Sequence, residues 1–309
     1  MNSIFQQQEF YKFLESSGIL EPFRFSVSRD NLEVGVIQGF IQSDGGRLKR
    51  FLSRRAIING GSFLAVDITD DEVETLLQNC IKRLKRKAIY IEFRNYFDYS
   101  KYRQLFEKSG FLYEPHYDII VNVDGEEPWE KRMESSRLRF VKSSLKNGAE
   151  IVENPVEQDV VDYYKVLKDL YTEKVKTPLF PLEFFLKLYH TSFCKYIIVK
   201  YNDVVVGGMV CVFDENAAYE WFVCGIDGVY KHVYPSTMAT YYAIRFASEK
   251  GLKYLDMMGA GAPNDGGYGV REFKMKFGGE LVEYGRFKYI CNPLLYKIGS
   301  LGVKLIKRH

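Results

Sequence analysis

The chain begins with a segment whose apolar residues recur every three to four positions, which predicts an amphipathic helix ending at Gly18. Two apolar runs typical of strands follow, and Arg29–Asn31 is the predicted turn between them. A second helix is predicted over 72–85, with Thr69 or Asp70 as its N-cap. Its apolar stripe consists of Val73, Leu76, Leu77, Cys80, Ile81 and Leu84.

The two halves of the chain show the same order of predicted elements. In the second half, helices at 158–175 and 182–191 precede three strands, a long helix over 236–250 and a strand at 254–258. Each half then closes with a loop, a short helix carrying a lysine, a glycine and a last strand. These closing stretches are LFEKSGFLYEPHYDIIV at 105–121 and FKMKFGGELVEYGRFKYI at 273–290. The shared order predicts a duplicated unit.

The order of strands and helices also predicts the fold class. Antiparallel strand pairs joined by tight turns, such as the turn at Asn202–Asp203, are followed by a helix and a further strand. A doubly wound parallel sheet would need a helix between nearly every pair of strands. We therefore predict an α/β protein with mixed sheets of the α+β kind, in two lobes at 1–127 and 128–291 with a cleft between them. The segment 292–309 is expected to form a helix that packs back on the first lobe.

Composition limits the class of protein. The 309 residues, of which 46% are hydrophobic and 27% charged, suit a globular protein of two lobes. A net charge of +3 is too small to imply nucleic-acid binding without a local basic patch. The five cysteines lack metal-ligand spacing, which predicts free thiols in a reducing compartment. Because the first residues do not form a signal peptide and the longest apolar run, at 204–213, is too short to span a bilayer, we expect a soluble cytoplasmic protein.

The second half carries a specific set of motifs. Its long helix opens at Pro235, Asp256 precedes a Gly-rich loop, and the segment REFKMKFGGE follows at 271–280. The stretch from 231 to 284 thereby resembles the Fem-type (FemA/FemB/FemX-like) peptidoglycan-bridge aminoacyltransferases and their wider acetyltransferase (GNAT)-like relatives. The likeness extends more weakly over most of the chain, including SRRAIINGGSF at 53–63. The long coiled-coil arm of some members is missing, because no heptad run interrupts the second half.

The resemblance implies two GNAT-like lobes and an acyltransferase that needs no cofactor and no metal. Such an enzyme would move an aminoacyl group from an activated donor, aminoacyl-tRNA, to an amine of a peptidoglycan or cell-wall precursor. One alternative is an acyl-thioester (coenzyme A-type) N-acyltransferase that acts on an amino sugar in cell-surface polysaccharide synthesis. The other is a non-catalytic binding protein that retains the fold.

Lys274 is the first catalytic candidate. Acyl transfer from an ester or thioester to an amine passes through an oxyanion, and a fixed cation or donor near that oxygen is commonly the largest catalytic effect. Lys274 lies on a short predicted helix bounded by Gly-rich loops, and the resemblance places the corresponding lysine at the reaction centre. The alternative is a solvated helix lysine, like Lys276.

Two carboxylates are candidates for accepting a proton from the attacking amine. Glu92 and Asp256 both lie on predicted strands at equivalent points of the two halves. Glu92 alternates with Arg94, so both side chains are expected on one face of the strand, where Arg94 is a substrate-binding candidate. The alternatives are a salt-bridged surface pair for Glu92 and Arg94, and a loop cap for Asp256.

Two other groups are predicted to bind substrate. Arginines beside backbone amides that glycines leave accessible suit an anionic group such as a diphosphate. This group consists of Arg54, Arg55, Gly60 and Gly61. Around Lys274, the further substrate-binding candidates are Tyr268, Arg271 and Phe273.

The donor is indicated by a missing motif. Coenzyme A-dependent acetyltransferases bind the pyrophosphate on a Gly-rich turn before the long helix, but the matching YKHVYPST at 230–237 has no glycine. This favours a bulky donor such as aminoacyl-tRNA. Two basic stretches could bind the phosphates of the tRNA. One is KRLKRK at 82–87, and the other is the predicted connecting helix at 125–147, which carries Arg132, Arg137, Arg139, Lys142 and Lys146. The alternative for both stretches is a solvated helix face.

The amphipathic segment 293–309 offers a peripheral membrane contact as an alternative to packing on the first lobe.

Overall fold

The chain forms two compact units in a computed structural model that describes residues 2–43, 45–265 and 269–306. The first unit contains Met1–His116 and Glu283–His309, and the second contains Tyr117–Val282. Within the described residues each unit has one seven-stranded sheet.

Strands and helices alternate along the described chain. The strands are β1 (Glu21–Arg29), β2 (Leu32–Gln42), β3 (Arg55–Asn59), β4 (Phe63–Leu64), β5 (Tyr90–Arg94), β6 (Leu112–Glu114), β7 (Tyr117–Asn122), β8 (Ala149–Val152), β9 (Cys194–Tyr201), β10 (Val204–Phe213), β11 (Ala217–Gly225), β12 (Tyr254–Asp256), β13 (Glu280–Glu283) and β14 (Arg286–Ile290). The helices are α1 (Gln8–Ser17), α2 (Arg47–Ser53), α3 (Asp70–Leu84), α4 (Arg103–Lys108), α5 (Ser135–Lys146), α6 (Glu157–Leu170), α7 (Leu182–Tyr189), α8 (Pro235–Glu249), α9 (Gly269–Met275) and α10 (Pro293–Ile306). Short 3₁₀ turns occur at Ile4–Gln6, Ser100–Tyr102 and Trp129–Arg132, and a π turn at Tyr171–Val175.

The first sheet has the strand order β1-β2-β3-β5-β14-β6, with β4 paired to β2. Strands β3 and β5 run parallel and the other pairs are antiparallel. The predicted turn between β1 and β2 is confirmed, since Asp30 and Asn31 have positive φ angles of 51° and 64°, as a tight hairpin requires. Helix α3 begins at the predicted N-cap, where Thr69 and Glu72 form a reciprocal capping box, and its predicted apolar stripe is buried.

The second sheet has the order β13-β7-β12-β11-β10-β9-β8. Strands β11 and β12 run parallel, whereas β9 and β10 form an antiparallel hairpin that turns at Asn202 and Asp203. Helix α8 packs on β10 and β11. Both sheets are therefore mixed, which confirms the predicted fold class.

Two strands, β7 and β14, pair in a different sheet from the strand that precedes them in the chain, and we call this the exchange of β7 and β14. Strand β7 follows β6 directly but pairs with β12 in the second sheet, and β14 follows β13 but pairs with β5 and β6 in the first. The units consequently divide at 116/117 and 282/283 instead of at the predicted 127/128 and 291. An apolar strand pattern indicates that a segment enters a sheet and does not indicate which sheet, so the sequence did not reveal the exchange.

The predicted single strand over 281–289 is wrong, because the chain breaks into β13 and β14 at Gly285. This glycine has a φ of 67°, and a Cβ atom there would lie 2.3 Å from the ring of Tyr113. Only a residue without a side chain fits both the conformation and the space.

The last helix, α10, belongs to the first unit, and the ring of Tyr296 contacts that of Tyr90 at 5.6 Å between centroids. Among the described residues, no helix combines the length and the apolar character that crossing a membrane requires.

Candidate active site

The two parallel strands of the second unit stop pairing at a buried point. Strands β11 and β12 pair from Ala217 to Tyr219, and the last pair joins Tyr219 to Asp256. Glu220 and Met257 are the first residues beyond that pair. The side chain of Lys274, from helix α9, enters at this point.

Lys274 is buried, with only 6% of its surface exposed. Its Nζ lies 3.0 Å from Oε1 of Glu220, and it donates hydrogen bonds to the carbonyl oxygens of Met257 and, at 3.3 Å, Met258. An ammonium group has three hydrogens, so these three partners satisfy it completely. Lys274 is therefore not a solvated helix lysine.

Two buried carboxyl groups, those of Glu220 and Asp256, interact with this ammonium. Burial raises the pKa of Glu220, although the ion pair with Lys274 opposes the rise. Burial, with the nearby Asp118, raises the pKa of the Asp256 carboxyl well above its ordinary value. Burial therefore disfavours the ionised form of both carboxyl groups, and the charge of Lys274 favours it.

Asp256 also shapes the chain after β12. Its Oδ1 accepts a hydrogen bond of 2.7 Å from the backbone N–H of Met258, which has a positive φ of 52°. This bond stabilises an otherwise unfavourable turn and directs the carbonyl groups of Met257 and Met258 to Lys274. The contact supports the loop-cap interpretation of Asp256, and its role as a base stays a prediction.

Arg271 and Phe273 make contacts within the protein. The Arg271 guanidinium donates to the carbonyl oxygens of Ala260 at 2.7 Å and Ala262 at 2.8 Å and pairs with Asp265 at 2.5 Å, so it ties the Gly-rich loop to α9. The Phe273 ring packs against that of Phe277, with centroids 5.3 Å apart. Substrate binding by Arg271 and Phe273 stays a prediction, and Tyr268 lies outside the described residues.

The N-terminus of α8 already has an anionic partner. Oδ1 of Asp227 accepts a hydrogen bond of 3.3 Å from the backbone N–H of Ser236, and Arg137 donates to the hydroxyl of Thr237 at 3.2 Å. The helix begins at Pro235, which has no N–H to offer. A carboxylate therefore stands where a helix N-terminus would otherwise bind a phosphate.

The first unit carries a second charged cluster, on one face of β5 and β14. Nε of Arg94 lies 2.7 Å from Oε1 of Glu92, and Nη1 of Arg286 lies 3.6 Å from the same oxygen. Nζ of Lys288 lies 3.7 Å from Oε2 of Glu92 and 2.6 Å from Oε2 of Glu114. Three cations thus face two carboxylates. We call this group the cationic face: Glu92, Arg94, Glu114, Arg286 and Lys288.

The cationic face bears on the predicted role of Glu92. Burial alone would raise the pKa of this carboxyl, but Arg94, Arg286 and Lys288 outweigh the effect and hold it at about 2. A carboxylate with so low a pKa is a weak proton acceptor at neutral pH. Glu92 supplies a counter-charge that keeps the three cations together, and its role as a catalytic base stays a prediction.

The glycines and the other arginines of the first unit differ in their surroundings. A Cβ atom on Gly60 would lie 2.0 Å from the hydroxyl of Ser3, and one on Gly61 would lie 2.5 Å from that of Tyr99, so this segment is tightly packed. The N–H of Gly61 donates to the backbone of Arg94. Arg55 lies on β3 opposite Tyr90, two positions from Glu92 in register, whereas the guanidinium of Arg54 lies over the ring of Phe51 at 5.3 Å. Their binding to substrate stays a prediction.

Sequence reasoning did not identify five residues of these clusters, namely Glu114, Asp118, Glu220, Arg286 and Lys288. Glu220 and Asp118 are single charged residues within apolar strands, and an acid in a buried run is an exception that needs an explanation. Arg286 and Lys288 alternate with Phe287 and Tyr289, the pattern of a strand with one polar face. Both patterns, an acid within an apolar strand and polar residues alternating with aromatic ones, can be seen in the sequence.

The architecture defines the class of protein. A mixed seven-stranded sheet with one parallel pair beside a long helix is the core of an acetyltransferase-like unit, and this chain has two such units. Residues 187–302 match the model of the FemAB family, a segment that runs from α7 to α10 and includes Lys274. This match confirms the Fem-type, GNAT-like resemblance deduced from the sequence and supports an acyltransferase.

Solved structures show the same fold over nearly the whole chain. FemX is 15% identical, with a TM-score of 0.69 and coverage of 96% of this chain and 94% of FemX. L-PGS from Bacillus licheniformis is also 15% identical, with a TM-score of 0.62 and coverage of 97% and 93%. A tandem GNAT protein from the clavulanic acid biosynthesis pathway is 9% identical, with a TM-score of 0.52 and coverage of 89% and 84%. Comparison with curated proteins by sequence gives no match.

Proposed function

We propose that this protein is a Fem-type aminoacyltransferase that joins an activated amino acid to an amine of a peptidoglycan precursor, with aminoacyl-tRNA as the donor. The observation that carries the proposal is the buried ammonium of Lys274 at the point where β11 and β12 separate. It lies within the segment that matches the FemAB family.

The reaction is the exchange of an ester for an amide. The amine nitrogen attacks the ester carbonyl carbon, a C–N bond forms, the C–O bond breaks, and the tRNA hydroxyl leaves with a proton. Negative charge develops on the carbonyl oxygen in the intermediate. The three hydrogens of the Lys274 ammonium are already bonded within the protein. Lys274 therefore stabilises the negative charge of the intermediate through the electric field of a fixed positive charge in a site of low dielectric constant.

The start of α8 supports a donor other than coenzyme A. A pyrophosphate at this helix N-terminus would meet the carboxylate of Asp227, which already accepts the N–H of Ser236. Like charges at that distance repel, and no glycine lets the backbone approach the phosphates. This observation ranks the acyl-thioester alternative below aminoacyl-tRNA.

The cationic face of the first unit supports an acceptor that carries phosphate groups. Arg94 and Arg286 keep about a third and a quarter of their side-chain surface exposed, at 34% and 27%. Guanidinium groups bind phosphate oxygens in a bidentate manner, so a diphosphate-linked cell-wall precursor suits this face.

The proposal is tested by offering both donor classes to the purified protein together with a diphosphate-linked muramyl-peptide acceptor. We expect amide product with a mixed aminoacyl-tRNA pool, and neither product nor thermal stabilisation with acetyl- or succinyl-coenzyme A. Product from the thioesters alone would contradict the proposal and favour the N-acyltransferase alternative. Binding of a donor and an acceptor without product would favour the binding protein.

A second prediction concerns the basic residues of α5. Arg139, Lys142 and Lys146 are exposed and three or four positions apart, so they share one face of the helix. If this face binds tRNA phosphates, replacing all three with glutamine should raise the KM for aminoacyl-tRNA about tenfold or more and weaken its dependence on salt, with kcat nearly unchanged. Kinetics at 50 and 200 mM salt would measure both effects.

The control for α5 removes the exposed Lys165 and the half-buried Lys187 elsewhere in the second unit, as Lys165→Gln and Lys187→Gln; both lysines pair with acids on their own helices. We expect the control to keep the KM of the unaltered protein. An equal rise in KM in both variants would show that total charge, and not the α5 face, controls binding of the donor.

A further inference from the structure

Lys274 has one carboxylate partner within ion-pair distance in the described part of the chain. That partner is Glu220, which is 4% exposed and lies on β11 immediately beyond the last pair with β12. It is the one charged residue of β11, AAYEWFVCG, and thus an acid within an otherwise apolar strand.

The backbone at Glu220 is irregular in a way that fixes this side chain. The pairing of β10 with β11 changes register here: Cys211 pairs with Glu220 and Val210 pairs with Phe222, so Trp221 is the additional residue of a β-bulge. The Trp221 ring packs edge-on against that of Phe184, with centroids 5.6 Å apart. Bulges redirect side chains and are frequent beside active sites.

Glu220 has few other restraints. Its Oε2 is buried and makes no hydrogen bond to any described residue. A buried carboxylate of this kind is stable only if a charge compensates it, and Lys274 supplies that charge. The dependence is mutual, because the ammonium is otherwise bonded to two uncharged carbonyl groups.

We infer that Glu220 is a positioning residue for acyl transfer, which holds the Lys274 ammonium in its charged form at the separation of β11 and β12. This inference rests on the proposed function. The Glu220 side chain is only 2% exposed, so it acts through Lys274 and does not touch the substrate.

Two acids interact with Lys274, Glu220 from β11 and Asp256 from β12, and Asp118 from β7 acts on Asp256. Asp256 lies close enough for the charge of Lys274 to lower its pKa, but burial and Asp118 raise that pKa well above its ordinary value. Asp256 is therefore a poor substitute for Glu220 as counter-charge. Without Glu220, the buried ammonium would have no counter-charge, which disfavours its charged form.

The first test is the pH–rate profile of Glu220→Gln, which keeps the shape and removes the charge. We expect kcat/KM to fall roughly 10- to 100-fold at neutral pH and the alkaline limb to move to lower pH by about one unit or more. In a Lys274→Ala background the same substitution should have little further effect, because it acts through that lysine. A loss uniform across pH, or one undiminished in the Lys274→Ala background, would overturn the inference.

The control is Glu249→Gln, which breaks the exposed i,i+4 pair with Arg245 on α8 and should leave activity and profile unchanged. If Glu220→Gln does not fold, Glu220→Asp keeps the charge but withdraws it by one methylene. Glu220→Asp should keep the alkaline limb closer to that of the unaltered protein than Glu220→Gln does, while losing part of kcat. A limb shifted as far in Glu220→Asp as in Glu220→Gln would contradict a role through charge.

A second readout does not need turnover. In protein labelled with ¹³C at the lysine Cε atoms, the signal absent from Lys274→Ala identifies Lys274, and its pH titration is compared with that in Glu220→Gln. We expect deprotonation at lower pH in the variant, and an unchanged titration would refute the inference even if the enzyme is active. A shifted titration in a protein without transferase activity would leave the positioning intact and refute only the proposed function.

Discussion

Replacing Lys274 with methionine is expected to lower kcat/KM at least about 100-fold and the free energy of unfolding by about 3 kcal/mol at pH 7. Methionine keeps most of the volume of the lysine stem but removes the fixed charge and all three hydrogen bonds of the ammonium. The buried Glu220 is then left without its partner. Transfer assays and urea unfolding with the same preparation would measure both effects.

The loss of stability in Lys274→Met should depend on pH in a defined direction. Burial raises the pKa of Glu220, and removal of the ammonium removes the effect that opposes this rise. A carboxyl with a raised pKa in the folded state stabilises the fold less as the pH rises above its unfolded value of about 4.3. The deficit relative to the unaltered protein should therefore increase by up to about 1.4 kcal/mol per pH unit once the pH exceeds the pKa of Glu220 in the unaltered protein, which itself lies above the unfolded value.

Adding Glu220→Gln to Lys274→Met provides the control, because an amide does not titrate. The double variant should lose most of the additional dependence on pH. A deficit of Lys274→Met that is constant from pH 5 to 8, or a kcat/KM within a few fold of the unaltered value, would contradict the assignment.

Replacing Glu92 with glutamine is expected to lower the free energy of unfolding by about 3 kcal/mol at pH 7 and by almost nothing at pH 2. In the folded protein the pKa of Glu92 is about 2, because Arg94, Arg286 and Lys288 outweigh the effect of burial. A carboxyl with a lowered pKa stabilises the fold above its unfolded value of about 4.3, and this contribution disappears as the pH falls toward 2. Urea titrations at several pH values would show the two curves converging in acid.

Glu114→Gln is the matched control for this experiment. Glu114 pairs with Lys288 at 2.6 Å, but its side chain is 44% exposed, so its removal should cost no more than about 1 kcal/mol. Equal losses in Glu92→Gln and Glu114→Gln would indicate that the cationic face has no central counter-charge.

The elements that the sequence predicted well are those whose signals are local. The capping box of Thr69 and Glu72 and the stripe below it lie within four turns of one helix, and each hairpin turn lies within two residues. Such signals depend on side chains near in sequence, so they hold in many tertiary contexts. The mixed character of both sheets followed from these local elements.

Strand partners and the break at Gly285 depend on contacts distant in sequence. The space that forbids a side chain at Gly285 is filled by Tyr113, which is far away along the chain. Similarly, β7 and β14 have patterns that would suit either sheet. Pairing of this kind is decided by the assembled fold, which one sequence does not display.

The candidate site likewise combines features that local sequence indicates with features that depend on contacts distant in sequence. Lys274 was identifiable because a motif surrounds it, but its burial and its three partners depend on β11 and on the turn after β12. Glu220 lies 54 positions before Lys274 in the printed sequence, and no spacing links the two. Arg271, a substrate candidate on the same motif, makes contacts with Ala260, Ala262 and Asp265 that no local pattern indicated.

The exchange of β7 and β14 reverses the order in which the sheets can be completed during synthesis. Strands β5 and β6 do not pair with each other, because β14 lies between them. Both strands therefore keep unpaired edges until residues 286–290 have left the ribosome. The second sheet needs only the continuous run from β7 to β13, so the unit whose synthesis begins later can finish folding first.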